Sequence, residues 1–171
     1  MTGVLERVCV VDETDREVTV VSRQEMRAQN LLHRSVAVAC WNSSGEIFVH
    51  QRAAQKDLFP NRYDMFVGGV VAAGESYETA AVRELREELG IDGVGPEFLF
   101  KCLYRGPHSQ AHIAVYRVTW DGPLVLQRSE VQGGQFWSPP ALQERIAEGL
   151  ALVPDGALCW SHCLERGLVA G

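Results

Sequence analysis

The stretch Gly69–Ile91, GVVAAGESYETAAVRELREELGI, places three glutamates at helical spacing. Glu84, Glu87 and Glu88 stand at i, i+3 and i+4, so on an α-helix their carboxylates project from one face. Like charges at these spacings destabilise an isolated helix by about 0.2–0.5 kcal/mol per pair. A bound cation removes that repulsion, and carboxylate oxygens with waters suit a hard divalent ion. The stretch therefore predicts a helix that carries a metal site.

The same stretch resembles the Nudix box, which reads G-x5-E-x7-R-E-U-x-E-E-x-G-U, where U is an aliphatic residue. A charged run alone is usually a solvated helix face, but such a face does not require glycines and a further glutamate in fixed register. The resemblance implies the fold of that family, an α/β/α sandwich with a mixed central sheet. Every fixed position of the pattern is occupied, by Gly69, Glu75, Arg83, Glu84, Leu85, Glu87, Glu88, Gly90 and Ile91.

The resemblance implies a hydrolase that cleaves a diphosphate linkage in a nucleoside diphosphate derivative or a similar diphosphate, with Mg²⁺ or Mn²⁺ as cofactor. Divalent ions neutralise phosphate charge and lower the pKa of bound water. A non-catalytic Nudix-like binding or regulatory module is the alternative, although such modules typically lose glutamates of the box. The residues implied as metal ligands are Gly69, through its carbonyl, Glu84, Glu87 and Glu88.

Two further roles follow from the family. Arg83 is expected to pair with Glu75 and to brace the loop against the helix, as a support for the ligands. Family members use either a box glutamate as general base, which here means Glu84 or Glu87, or a glutamate in a later loop. Glu130 is the best later candidate, and a plain surface charge is an equally open interpretation of that residue.

The N-terminal half has a second resemblance. The segments VVDETDREV and LLHRSVAVACWNSSGEIFVHQRAAQKDLFPNRYD are similar to isopentenyl-diphosphate isomerase and to related bacterial Nudix hydrolases. This similarity implies that Arg52 and Lys56 bind the diphosphate, the first by a fork of N–H donors and the second as a point charge. A second interpretation of Arg52 and Lys56 is equally open: each is a solvated cation at the end of a strand.

Isomerase chemistry is a weaker alternative because its central residues are missing. The catalytic cysteine of the isomerase would fall at Gly68, and none of the five cysteines can replace it. Of the metal-binding histidines only His33 has a counterpart, while Met26 and Val70 stand at the other positions. Protonation of an alkene therefore has no donor, and hydrolysis is favoured.

Composition narrows the remaining possibilities. The 171 residues fit a single domain, residues 1–171, with 46% hydrophobic and 22% charged residues. A net charge of −6 argues against nucleic-acid binding, yet a metal ion can supply the positive charge that a small phosphorylated molecule needs. The sequence has no membrane-length apolar run and no signal peptide, so we expect a cytoplasmic protein with free, buried thiols. The family resemblance also allows a homodimer.

Local patterns predict the elements on either side of the box. Ser76 is a natural N-cap for a helix over 76–89, and Gly90 suits the left-handed residue that ends it. We expect strands and helices as follows: two short strands in 4–22, a helix in 23–32, a hairpin of strands 35–41 and 46–52, a strand and entry loop in 63–71, strands near 97–105, 111–120 and 134–137, and helices near 140–149 and 156–166.

The group attached to the diphosphate cannot be inferred from these patterns. His108 and His112 flank the start of a strand and are candidates for substrate contact, although a structural role is favoured for each. Several aromatic residues are candidates for stacking on a base, and a place in the core is favoured for every one: Trp41, Phe59, Tyr63, Phe66, Tyr104 and Trp137.

Overall fold

A computed structural model describes residues 6–169, so residues 4 and 5 of the first predicted strand lie outside the described part. The elements in chain order are β1 (Arg7–Val11), β2 (Glu17–Ser22), α1 (Arg23–Ala28), β3 (Leu32–Trp41), β4 (Ile47–Arg52), β5 (Tyr63–Asp64), α2 (Tyr77–Leu89), β6 (Glu97–Arg105), β7 (Gln110–Thr119), β8 (Val131–Trp137), α3 (Pro139–Ala147) and α4 (Pro154–Glu165). Within residues 6–169, no helix has the length and apolarity that crossing a membrane would require.

Strand β3 is the centre of a mixed sheet. It runs parallel to β7 along its whole length, from the pair Leu32 and Gln110 to the pair Trp41 and Thr119. Strand β6 pairs antiparallel with β7, and the β1–β2 hairpin joins the other side of β3. The expected mixed sheet is therefore confirmed.

The two faces of β3 are both buried, each against a different helical layer. Val36, Val38 and Cys40 belong to one apolar cluster with residues of α2, including Leu85. Ala37 and Ala39 belong to a second cluster with α3 and α4, including Leu142 and Trp160. The large and small residues that alternate along this strand thus face opposite layers, which gives the α/β/α sandwich.

The expected hairpin of β3 and β4 is wrong beyond its first pair. The two strands pair at Trp41 and Ile47 and then separate, because β4 pairs with β5 and β8 instead. The segment 67–72 fills the place beside β3, where Val38 N donates to the Val67 carbonyl at 2.7 Å. This separation opens the space in which the cavities described below lie.

Two predicted elements are shorter than expected. The helix predicted over 23–32 ends at Ala28, because Asn30 adopts a left-handed φ of 49° and turns the chain into β3. The strand predicted within 63–71 is limited to Tyr63–Asp64, and the chain after it makes only isolated bridges to β3, at Val67 and Val70. At Gly68, between these bridges, an added Cβ would lie 2.0 Å from the Val36 carbonyl oxygen. Only glycine, which has no Cβ, allows two backbone segments to approach this closely.

The box helix begins and ends as the sequence predicts. The Ser76 hydroxyl accepts from Thr79 N at 3.1 Å, and Gly90 follows the last turn with a φ of 68°. Ala80, Ala81, Leu85 and Leu89 are at most 1% exposed, so this side packs the helix onto the sheet. Because the apolar side fixes the rotation of α2, it also fixes the direction of the glutamates.

Candidate active site

The three box glutamates have different environments. Glu84 and Glu88 are 7% and 6% exposed, whereas Glu87 lies on the solvent side of α2. A cavity of about 390 Å³ opens beside them. We call it the acidic cleft, and its charged lining consists of Glu6, Arg23, Lys56, Arg83, Glu84, Glu87, Glu88 and Glu130.

Arg83 connects the loop before α2 to the glutamates on it. Its Nε and Nη2 donate to the two oxygens of Glu75 at 2.8 and 3.0 Å. Its Nη1 donates to Glu84 at 2.7 Å and to Glu87 at 3.3 Å. The bonds to Glu75 and Glu84 raise the pKa of Arg83, so it stays charged. The pair implied by the family resemblance is therefore present in this chain.

Glu84 and Glu88 form a buried acidic pair. Burial raises the pKa of Glu84, and the neighbouring Glu87 adds to the rise against the opposing effect of Arg83. Burial raises the pKa of Glu88 further, together with the charges of Glu84 and Glu130. Two buried carboxyls in contact favour either a shared proton or a bound cation.

Gly69 leaves the space that the Glu84 carboxylate occupies. A Cβ added at this position would lie 2.7 Å from Glu84 Oε1. The Gly69 carbonyl faces β3, where it accepts from Val36 N and from Ser35 Oγ, both at 2.9 Å. Both lone pairs of this oxygen are thereby used.

Glu130 reaches the acidic cleft through the segment that follows β7. Val125 N and Gln127 N donate to the last carbonyls of α2, those of Leu89 and Glu88, at 2.9 and 3.0 Å. This places Glu130 beside α2, where its carboxylate pairs with Lys56 from the loop after β4. Two residues 74 positions apart thus meet at the cleft.

The donor set fits a divalent cation, although the side chains do not yet converge on one point. Among residues 6–169, no group of three acidic, histidine or cysteine side chains is arranged to hold an ion as it stands. The cause is visible in the hydrogen bonds, because Arg83 holds Glu84 and Glu87. The bond from Arg83 to Glu87 is the longer of the two at 3.3 Å, and the Glu87 side chain is 45% exposed.

A second cavity of about 100 Å³ adjoins the acidic cleft and extends between β3 and β4. Arg23, Lys56 and Glu88 line both cavities. We call this second cavity the inner chamber, and its other polar lining side chains are Arg27, His33, Ser35, His50, Arg52, Asp64, Ser109, Asp155 and the thiol of Cys159.

The inner chamber contains acid and base groups whose charge is suppressed by burial. Burial lowers the pKa of His33 to about 4 and that of His50 to about 3, so both are neutral at pH 7. Burial and the neighbouring Asp155 raise the pKa of Asp64 to about 8. Arg52 donates through Nε and Nη2 to the Leu58 carbonyl at 3.2 and 3.0 Å.

The other residues singled out in the sequence have mixed positions. Phe59 and Phe66 line the inner chamber, and His108 contacts the edge of Phe59. His112 lines neither cavity, since it is buried on β7 with Nε2 at 3.0 Å from the Asp12 carbonyl. The remaining candidates for stacking pack against the second apolar cluster: Trp41, Tyr63, Tyr104 and Trp137.

Sequence reasoning missed several residues of this region. Arg23, which lines both cavities, comes from a short helix with no motif. Asp64 and Asp155 lie far apart in the sequence and meet where the start of α4 packs on β5. The one available signal was a polar residue beside apolar neighbours, as His50 follows Ile47–Val49 and Asp64 precedes Met65 and Phe66. All five cysteines are free, and Cys102 is the only one that is not fully buried.

Comparison with known proteins gives consistent matches. A family model for the NUDIX domain matches residues 31–153. An uncharacterized Nudix hydrolase of Streptomyces coelicolor is 46% identical over 155 residues, which is 90% of this chain and 85% of the relative. The crystal structure of a Deinococcus radiodurans protein, DR0079, superposes with a TM-score of 0.81 at 32% identity, covering 92% of this chain and 99% of that one. The NUDIX domain of Shewanella oneidensis NrtR, solved in complex with ADP ribose, superposes at 0.61 with 17% identity, over 85% and 99% of the two chains.

Proposed function

We infer the reaction from one premise: this chain belongs to the Nudix hydrolase family and is a hydrolase acting on pyrophosphate bonds. We propose that it uses Mg²⁺, or Mn²⁺ in its place, to cleave the diphosphate linkage of a nucleoside diphosphate derivative or a similar diphosphate. The cytoplasm, where thiols stay reduced, suits its five free cysteines.

One observation supports this proposal most directly: a buried acidic pair and several cations line the same cleft. Glu84 and Glu88 offer oxygen donors, and Arg23 and Lys56 lie in the same lining. A diphosphate would need both, because a bound divalent ion would offset part of its charge while Arg and Lys neutralise the remainder. A cleft that bound only a cation would have no use for the two basic side chains.

The residues have the following proposed roles. Glu84, Glu87 and Glu88 would hold the divalent ion, which when bound would polarise the phosphate and make a bound water more acidic. Glu130 accepts a proton from the attacking water at its carboxylate. Lys56, which pairs with Glu130, orients that carboxylate and contacts the phosphate.

Arg52 and Arg23 are proposed to bind the diphosphate beside Lys56. Arg52 makes hydrogen bonds to a carbonyl and forms no ion pair with any carboxylate of residues 6–169. Its positive charge is therefore available to an anionic ligand that reaches the inner chamber, which Arg52 lines. Arg23 pairs with the exposed Glu6 at 2.8 Å, which a phosphate can displace.

The backbone ligand is better assigned to Gly68 than to Gly69. The Gly69 carbonyl already accepts two hydrogen bonds from β3. No donor among residues 6–169 bonds to the Gly68 carbonyl, and Gly68 also lines the acidic cleft. The carbonyl oxygen of Gly68 is thus the backbone group with free lone pairs.

Isomerase chemistry is not supported by this site. A cysteine at position 68 would place its Cβ 2.0 Å from the Val36 carbonyl oxygen, so this backbone cannot present a thiol there. Hydrolysis needs no such side chain. The same fold holds ADP ribose in NrtR, a molecule of the proposed general kind.

The test is a panel of nucleoside diphosphates and their derivatives with Mg²⁺, Mn²⁺ or EDTA, with mass detection of both products. We expect metal-dependent hydrolysis of at least one compound and its loss in Glu87→Gln, whose exposed position leaves folding intact. Glu78→Gln is the matched control, since it removes an exposed charge from the first turn of the same helix. Hydrolysis that survives Glu87→Gln would refute the metal assignment, and metal binding without any hydrolysis would favour a binding module.

A further inference from the structure

Two cysteines from different elements lie in contact where α4 packs against β6. Cys102 Sγ on β6 is 3.9 Å from Cys159 Sγ on α4, although the two residues are 57 positions apart in the sequence. Cys102 alternates with Phe100 and Tyr104 on the side of β6 that packs against the second apolar cluster. We call Cys102 and Cys159 the thiol pair.

The two thiols of the pair differ in exposure. Cys159 is 1% exposed, whereas Cys102 is only partly buried. Within residues 6–169, the strand that carries Cys102 pairs on one side alone, with β7, so β6 is an edge of the sheet. A small solute from the solvent therefore meets Cys102 before Cys159.

The two thiols also differ in acidity. The hydrogen bond with Cys159 lowers the pKa of Cys102, and the charge of Arg166 adds to this effect against that of burial. The same hydrogen bond, together with burial, raises the pKa of Cys159. Cys102 is thus the thiol that ionises more readily, and Cys159 is the donor in the hydrogen bond between them.

A cation lies on the same side of β6 as Cys102. Arg166 Cζ is 4.7 Å from the centroid of the Phe100 ring, and Phe100 precedes Cys102 by two positions on the strand. A positive charge near a thiol favours the thiolate, which is the form that reacts with oxidants. An accessible thiol of low pKa beside a second thiol is typical of cysteines that undergo reversible oxidation.

A third thiol lies one helical turn beyond the pair. Cys163 follows Cys159 on the same side of α4, and burial raises its pKa to about 11. The three thiols do not form a metal site, because within residues 6–169 no group of three histidine, cysteine or acidic side chains is arranged to hold an ion. The sulfur–sulfur hydrogen bond joins Cys102 to Cys159, which makes Cys159 the partner in contact.

We propose that the thiol pair is a site of reversible oxidation, at which a hydroperoxide converts the two thiols to a disulfide. The Cys102 thiolate attacks one oxygen of hydrogen peroxide, the O–O bond breaks, and a sulfenic acid forms while hydroxide leaves. The sulfur of Cys159 then bonds to the sulfur of Cys102 and displaces its oxygen as water. Over both steps the two thiols lose two electrons and two protons, and one hydrogen peroxide becomes two waters.

The disulfide would connect α4 covalently to the edge of the sheet. Bonded sulfurs are about 2.05 Å apart, so rotation of the two side chains has to bring these atoms about 2 Å closer. Cys159 also lines the inner chamber, so the bond would tie one wall of that cavity to β6. A transient disulfide of this kind is compatible with a reducing compartment, where disulfides are usually redox-sensing or catalytic.

The test treats the full chain with hydrogen peroxide, alkylates the remaining thiols and maps the tryptic peptides by mass. Trypsin cleaves so that Cys102 lies in the peptide 102–105, whereas Cys159 lies in the peptide 146–166. We expect these two peptides to be joined within one chain and to separate on reduction with dithiothreitol. We also expect the free Cys102 thiol to disappear at least tenfold faster than those of the buried Cys9 and Cys40.

Three variants identify the partners. Cys102→Ala and Cys159→Ala should each abolish the joined peptides, and Cys159→Ala should accumulate a sulfenic acid at Cys102 that dimedone labels. Cys163→Ala is the matched control and should form the joined peptides within twofold of the wild-type rate. The Tm of each reduced variant shows whether it folds. If Cys159→Ala does not fold, Cys102→Ala decides, because its change lies on the edge strand.

Three outcomes would overturn the proposal. The first is a link that persists at the wild-type rate in Cys159→Ala or in Cys102→Ala. The second is conversion of Cys102 only to sulfinic or sulfonic acid, without a link. The third is oxidation of Cys102 no faster than that of Cys9 and Cys40. These measurements do not use hydrolysis, so they test the thiol pair independently of the proposed function.

Discussion

Arg83 holds both oxygens of Glu75 through two parallel hydrogen bonds of 2.8 and 3.0 Å. Glu75 also accepts from Ala72 N at 3.0 Å, so one carboxylate ties the loop before α2 to the helix itself. The remaining nitrogen of Arg83 holds Glu84. The position of Glu84, a proposed metal ligand, therefore depends on the ion pair between Arg83 and Glu75.

Replacement of Arg83 tests this dependence. Lysine keeps the charge but cannot make the two parallel bonds, so Arg83→Lys should lower the hydrolysis rate by about 10–100-fold, the effect typical of groups that orient metal ligands. Titration of activity with Mg²⁺ measures the loss as a raised metal requirement. Arg86→Lys, an exposed residue of the same helix, serves as the control. Wild-type metal affinity in Arg83→Lys would contradict the bracing role.

Two adjacent glycines should respond differently to alanine. In Gly69→Ala the new Cβ meets the flexible end of Glu84 at 2.7 Å, so activity should fall about tenfold while stability changes little. In Gly68→Ala the new Cβ meets the Val36 carbonyl at 2.0 Å, so the protein should lose about 1–3 kcal/mol of stability or more. Urea unfolding and hydrolysis rates separate the two effects. Equal unfolding midpoints for both variants would show that the backbone at Gly68 can adjust.

Glu130 and Lys56 should affect different kinetic constants. If Glu130 is the general base, Glu130→Gln should lower kcat by about 100-fold or more with little change in KM. Lys56→Gln should raise KM, because it removes a positive charge from the phosphate site, and should lower kcat less than Glu130→Gln does. Steady-state kinetics on one hydrolysed diphosphate gives both values. A kcat for Glu130→Gln within threefold of the wild type would move the role of base to a box glutamate.

The free energy of unfolding should depend on pH because titratable residues line the inner chamber. His33 and His50 have folded pKa values of about 4 and 3, below the usual 6.5, so the unfolded chain binds protons first and stability falls as pH drops below 6.5. Asp64 has a folded pKa of about 8, above the usual 3.8, so the folded protein retains a proton that the unfolded chain releases. Its contribution to stability falls as pH rises from 4 to 8.

Chemical unfolding of the wild type and of Asp64→Asn between pH 6 and 8.5 isolates the Asp64 contribution. Asparagine cannot ionise and can still accept from Phe66 N, which now donates to Asp64 Oδ1 at 3.0 Å. Relative to this variant, the free energy of unfolding of the wild type should fall by up to about 1.4 kcal/mol for each unit by which the pH rises toward 8. Parallel stability curves for the two proteins would mean that Asp64 is ionised in the folded state.

The sequence predicted best where neighbours along the chain supply the interactions. The caps at Ser76 and Gly90, the apolar side of α2 and the alternation along β3 follow from local spacing, and each is present in the structure. The turn and first pair of the β3–β4 hairpin were predicted correctly, but pairing beyond Trp41 and Ile47 was predicted wrongly, because the segment 67–72 lies beside β3. That placement depends on contacts which no local pattern contains.

The sequence by itself determined the helix with its three glutamates, since helical spacing alone brings their carboxylates to one side. It did not determine that Glu84 and Glu88 are buried while Glu87 is exposed, nor that Glu130 meets Lys56 from 74 positions away. Tertiary structure alone placed His50, Asp64 and Asp155 around one chamber. The physical reason is that the separation of β3 from β4 and the docking of α4 depend on packing between distant segments. The carboxylates of the box are therefore encoded locally, whereas the other residues around the two cavities are brought there by the assembled fold.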